Sequence, residues 1–233
     1  MGRTGSKGLM GFWADIDEDY VLRFREWHNC EHIPERVGIP GFNVGRRYRG
    51  LDGAPMFFMF YETDDPAVLG SEAYLNALDR PTPWTRESLT HFRNPSRNIY
   101  ALLAESGVPA PLEAPYLFLY RLNLPDETEA EVLSWLADTW LPAVTAIDEV
   151  YRGRLYRVDE AISGIMTSER KLYGGGPGAQ KFLALFETTT PHPDREEAWK
   201  AAESALADGH VQLARRRDVF AESFWLDIAL YSP

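Results

Sequence analysis

The chain has 233 residues, a formal net charge of −11 and one cysteine, Cys30. The length holds one large domain or two small ones, and the acidic balance argues against the basic face that nucleic acids and anionic membranes select. One cysteine excludes an intrachain disulfide and suits a reducing cytoplasm, and no apolar run nears the ~20 residues that cross a bilayer.

Met1 to Gly8 is polar and reads as a disordered tail, without signal-peptide form. Leu9 to Asp15 is a first strand. Asp17 offers an N-cap, with Glu18 and Asp19 suited to the positive helix start, and Tyr20, Phe24, Trp27 and Cys30 recur at helical spacing. Pro34 disfavours helical geometry at Ile33 and predicts a helix end near His32. Pro40-Gly41 marks a turn, followed by strands over 42–49 and 56–63. Asp65-Pro66 opens a second helix to about Leu78, Trp84 to Phe92 a further short one, and Arg97 to Leu103 is the fourth strand.

The second half repeats this order. Strands are expected over 116–122, 154–158, 181–188 and 220–230, with helices over 126–140 and 193–206; Asp126 with Glu129 resembles a capping box. A shift of 108 positions aligns Trp27 with Trp135, Pro34 with Pro142, Gly45 with Gly153 and Tyr48 with Tyr156. A shift of 125 aligns Tyr61-Glu62-Thr63 with Phe186-Glu187-Thr188, and Tyr74 with Trp199. The domain reading is a tail (1–8), repeat one (9–106), a proline-rich linker (107–115) and repeat two (116–233). Repeat two carries a Gly-rich insert (159–180), which reads as a loose hairpin loop rather than a mobile lid. The order β-α-β-β-α-β is ferredoxin-like. The fold class is therefore α+β, with two tandem repeats packing sheet to sheet as an α/β barrel within one chain.

The titratable groups are unequally shared. Repeat one carries His28, Glu31 and His32 where repeat two has Leu136, Thr139 and Trp140, which suggests one site rather than two. His28-Asn29-Cys30-Glu31-His32 also spells the H-x-x-E-H zinc pattern. Zinc needs a third protein ligand, nothing identifies one, and no metal is expected. Tyr61 and Trp84 are candidate cavity residues because each has a polar tip. Trp13, Tyr48 and His91 complete the set of substrate-binding candidates, and Asp15 is a possible second carboxylate.

Trp27, His32-Ile33-Pro34, Pro40-Gly41 and Arg47-Tyr48 together resemble the EthD-like group of the dimeric α/β-barrel superfamily, most clearly over residues 9–63. The resemblance implies a barrel cavity for a small aromatic or cyclic molecule. It also implies cofactor-independent acid/base chemistry of lyase or isomerase type, with His32 as acid/base, Glu31 or His28 orienting it, and Arg47 neutralising a carboxylate or enolate. Two alternatives remain. Haem-dependent enzymes share the superfamily, and His91 with Arg93 and Arg97 is the set that would serve haem. A non-catalytic ligand-binding or stress-response protein would use the same cavity. Open sheet edges make a homodimer plausible.

Overall fold

The computed structural model describes residues 5–233, so residues 1–4 of the expected tail lie outside the described residues. The Lys7 amide already donates to the carbonyls of Thr63 and Asp64. The eight strands are β1 (Gly8–Ile16), β2 (Phe42–Gly50), β3 (Phe57–Thr63), β4 (Phe92–Gly107), β5 (Tyr116–Asn123), β6 (Val150–Val158), β7 (Phe182–Thr188) and β8 (Arg217–Tyr231). They hydrogen-bond in the closed order β1-β3-β2-β8-β5-β7-β6-β4, a β-barrel of the expected α+β class.

The chain divides into two compact units: 1–101 with 158–178 and 227–233, and 102–157 with 179–226. In the first, β1 lies between β3 and β4, and β2 pairs with β3, all antiparallel. In the second, β7 pairs with β5 and β6, and β5 also with β8, again antiparallel. Period-2 alternation sends one set of side chains to each sheet face. Met10, Phe12, Met59 and Tyr61 join Phe24, Trp27 and Ile33 of the first helical stretch in one core. Phe118, Tyr120, Ala184 and Phe186 do the same with Leu136, Trp140 and Leu141 in the other.

Pro34 does not end the first helix. The chain passes from α1 (Val21–Trp27) through a π-turn (His28–His32) into α2 (Ile33–Val37). In a regular α-helix the proline ring meets the carbonyl four residues back. Widening the preceding turn relieves this, and the Ile33 amide reaches the His28 carbonyl instead. The same device precedes Pro142: α5 (Glu129–Trp135), a π-turn (Leu136–Trp140), then α6 (Leu141–Val144). π-Turns often mark functional sites. Its recurrence in the repeat without histidines ties this one to the proline.

Other elements differ from expectation in local chemistry. The second helix is interrupted: a 3₁₀ turn over Pro66–Gly70 is capped by Asp65, and α3 (Glu72–Asp79) by Ser71. Thr82 caps α4 (Pro83–Leu89), and β4 starts at Phe92, before Arg97, with Asn94 at φ 50°. The Asp126–Glu129 box does not form, since α5 starts after Thr128 with no side-chain cap. Asp17 does not cap its helix either and instead binds His91 and Arg93. The insert is not a loose hairpin. It folds as α7 (Glu160–Gly164), capped by Asp159, and α8 (Ser168–Tyr173), capped by Thr167 and closed by Gly174 at φ 72°. Arg170 binds the carbonyls of Ser163, Gly164, Ile165 and Gly175. The insert docks on the first unit through Ile99 N–H to Ser163 Oγ and Arg97 N–H to the Gly176 carbonyl. After α9 (Glu197–Ser204) an unforeseen α10 (Gly209–Ala214) precedes β8. Among the described residues no helix is long and apolar enough to cross a membrane.

Gly45 shows how tightly the first sheet seats Tyr61. A Cβ there would lie 2.6 Å from the Tyr61 ring and 3.1 Å from Ile33. At the matching Gly153 it would meet Thr145, Leu141 and Phe186 at 2.7–2.8 Å. Gly45→Ala is expected to destabilise the fold by about 1–3 kcal/mol through overpacking and to move the Tyr61 ring. Urea unfolding and near-UV circular dichroism test this, and an unchanged midpoint would show that the contact relaxes freely.

Candidate active site

A cavity lies within the first unit, between the helix-facing side of its sheet and its helices. Trp27, His28, His32 and Arg36 line it from the α1–π–α2 stretch. Met10, Phe12, Met59, Tyr61 and Arg97 come from the sheet, Tyr74 and Leu78 from α3, and Thr167, Glu169 and Tyr173 from the insert. The cavity volume, as room for the centre of a water-sized sphere, is about 40 Å³.

His28 is buried, and both ring nitrogens are engaged. Nδ1 lies 3.1 Å from Arg47 Nη1, and Nε2 lies 3.4 Å from the Tyr61 hydroxyl. A guanidinium can only donate, so Nδ1 is the acceptor and the proton sits on Nε2, facing Tyr61. With that hydroxyl oxygen accepting, its own hydrogen is left to point at a ligand. Burial holds the Tyr61 phenol far above its ordinary pKa, so it stays protonated. Arg47 is held in turn by Asp227, from Nε and Nη2, each at 2.8 Å.

His32 is half-buried as a residue, yet its Nδ1 is fully buried and has no hydrogen-bond partner. Its ring sits 4.4 Å from Trp27 and 5.5 Å from His28, centroid to centroid. Burial, then Arg36, then His28 push its pKa well below the ordinary histidine value. For His28 the causes are burial, Arg47 and Arg36. Both imidazoles are therefore neutral near pH 7. Arg36 is buried and paired with Glu169 at 2.5 Å and with Glu35 at 3.2 Å. Burial raises the Glu169 carboxyl, opposed by Arg36, while burial pushes the Tyr173 phenol up to about 12.

Of the sequence candidates, His28, His32 and Tyr61 meet at this cavity, and Arg47 stands behind His28. The others lie elsewhere. Glu31 accepts from Thr82 and Thr85, tying its turn to α4. Trp84 lies under Arg23, 4.3 Å from the guanidinium carbon. His91 stacks on Tyr20 and binds Asp17. Trp13 stacks on Phe58 and Tyr48 on Phe60, on the sheet face opposite Phe12 and Tyr61. Asp15 accepts from the Met56 amide and from Asn94. Sequence reasoning missed Arg36, Tyr74, Thr167, Glu169 and Tyr173, and named Arg97 only for haem. For Arg36 a signal was present: it continues the four-residue spacing of His28 and His32, masked by placing a helix end at Pro34.

The second unit is an internal control. Register pairs Gly45 with Tyr61 and Gly153 with Phe186. At the positions of His28, His32, Arg36, Arg47, Tyr61 and Tyr74 stand Leu136, Trp140, Val144, Leu155, Phe186 and Trp199, all in the second core. The same fold is built there with none of the polar set, so the polar set is not required for folding.

The residues named for haem and zinc are not gathered at this cavity as those readings expect: His91 does not line it, whereas Arg97 does. Both His28 nitrogens are engaged within the protein, and His91 is held by Asp17. Glu31 is turned toward threonines, and among the described residues no three of His, Cys, Asp and Glu gather as a metal site.

No protein-family model matches the chain, and no curated protein matches it. Solved structures share its fold. An anthrone oxidase-like protein superposes with TM-score 0.63 at 10% identity, covering 98% of this chain and 94% of the other. A proposed monooxygenase from Fusobacterium nucleatum superposes at 0.61 with 6% identity, covering 98% and 95%. A mutant chlorite dismutase from Candidatus Nitrospira defluvii superposes at 0.56 with 11% identity, covering 97% and 92%. What these structures share with this chain is the fold, an α/β barrel built from two ferredoxin-like repeats.

Proposed function

We propose that the first unit is an enzyme active site for cofactor-independent proton transfer, of lyase or isomerase type, on a small aromatic or cyclic carbonyl compound. The observation that carries this reading is His32, a neutral imidazole with a buried, unpartnered Nδ1 on the wall of a largely apolar cavity. A buried polar atom without a partner costs about 1–3 kcal/mol, which a ligand or water hydrogen bond removes. A neutral imidazole can take a proton from carbon beside a carbonyl. Tyr61, kept protonated and oriented by His28, can donate to the carbonyl oxygen as negative charge develops there. Arg47 and Asp227 fix the His28 tautomer and so act through it. The anthrone oxidase-like and monooxygenase neighbours share the barrel at identities that carry the fold alone, so the reaction class rests on the cavity.

Deuterium incorporation from D₂O tests this without a known substrate. A panel of enolisable aromatic and cyclic ketones, incubated with the protein and read by proton NMR, is expected to lose α-proton signal faster than in buffer. Tight binding of a panel member with no exchange in any would instead support a ligand-binding protein.

A further inference from the structure

Arg97 is only 9% exposed and lies on the helix-facing side of the sheet beside Phe12. It lines the same cavity as His32. Its Nη2 donates to the Tyr74 hydroxyl at 3.2 Å, and its guanidinium lies 6.0 Å from the centre of that ring. A guanidinium has five N–H donors. Among the described residues no carboxylate lies within 4.0 Å of Arg97, whereas Arg36 on the same wall has both Glu169 and Glu35. The wall therefore presents two buried guanidiniums and one buried carboxylate, and that carboxylate is already paired with Arg36. Glu169 acts electrostatically on both guanidiniums but accepts a hydrogen bond only from Arg36, which leaves Arg97 with donors beyond the one given to Tyr74. The fold does not require a cation here, since strand register places Ala221 opposite Tyr120 where Arg97 stands opposite Phe12.

We propose that Arg97 is the anion anchor of this cavity and that the substrate is a small organic acid whose carboxylate docks on it. This rests on the proton-transfer reading and names its substrate class. Arg47, the arginine that the sequence offers for that task, is already occupied by Asp227 and His28. Arg97 has planar paired donors to spare, the geometry that suits a carboxylate, and the apolar side chains opposite receive the rest of the molecule. The anion would also offset the positive field of Arg36 at His32, making the imidazole a better proton acceptor when substrate is present.

The test uses matched acids and amides, propionate with propionamide and benzoate with benzamide, titrated by NMR against the full chain. The wild type is expected to bind at least one acid about tenfold or more tighter than its amide. That ratio should fall to about one in Arg97→Gln and persist in Arg97→Lys, with folding of each variant checked by circular dichroism. Equal binding of acid and amide by the wild type, no binding of either acid, or a preference that survives in Arg97→Gln would overturn the assignment. The same titration on His32→Ala separates the two readings. An Arg97-dependent preference retained there stands even if proton exchange is absent, and exchange on neutral ketones with no acid preference would leave His32 in place and remove the anchor.

Discussion

His32→Ala is expected to slow deuterium exchange into a substrate by about 10²–10⁴-fold, the usual contribution of a positioned general base, with little loss of stability. The stability side follows from the contacts. The Nδ1 atom makes no hydrogen bond, so its removal relieves a buried polar penalty that offsets part of the packing lost against Trp27 and His28. The pH dependence adds a readout that a structural role would not move. The reactive form is the neutral imidazole, and burial with Arg36 and His28 holds its pKa well below 6.5. The rate should therefore stay level through neutrality and fall only well below pH 6.5, as His32 takes up a proton. Stability shares the same origin. Below pH 6.5 the unfolded chain protonates both histidines while the folded chain does not. Stability thus declines as pH falls from 6.5 toward the folded values, by at most about 1.4 kcal/mol per pH unit for each histidine. His32→Ala should roughly halve that slope. Full exchange activity in the variant, or an acid limb at 6.5 or above in the wild type, would remove His32 from the chemistry.

How far the sequence could be read depended on which interactions are local. Strands and their order were legible because alternation and turn residues are local signals, and the repeat made each half a check on the other. Trp13 and Tyr48 show the limit. Alternation says that Trp13 and Phe12 face opposite ways, but which face meets the helices is set by pairing register, and Trp13 and Tyr48 lie on the face away from the helix-side cavity. Pro34 shows another limit. A proline signals helix disruption, and the turn before it can absorb it by widening. That misplaced end hid Arg36, which lies one turn beyond His32.

The insert was the least legible part of the site. Its glycines suggest looseness, and its caps, Asp159 and Thr167, are ordinary turn residues until the helices behind them are known. Nothing local in Thr167-Ser168-Glu169 announces that a carboxylate from the second half of the sequence finishes a cavity built by the first. Glu169 and Arg36 are 133 positions apart, and only the fold brings them together. Conversely, Glu31 is adjacent to His32 in sequence, yet its side chain points to α4 and binds threonines.

That ion pair supplies the largest expected stability effect. Arg36→Met should destabilise the fold by about 3–5 kcal/mol in urea unfolding, the range for removing one member of a buried pair. The variant strands Glu169, itself only 5% exposed, whose carboxyl is already raised by burial and loses the cation that opposes this shift. Glu169→Gln should cost less, because an amide oxygen can still accept from Arg36 and Glu35 remains 3.2 Å from it. Replacing both residues with methionine should recover most of the loss, since a well-packed apolar pair often matches a buried ion pair in stability. Near-additive losses in the double variant would mean that the two side chains are not coupled. Recovery of stability with weaker acid binding would mean that the pair serves the cavity rather than the fold. The reason would be positional. Arg36 presents one face to Glu169 and lies within the field of His32, so its charge both secures α8 over the cavity and keeps the imidazole neutral until an anion enters.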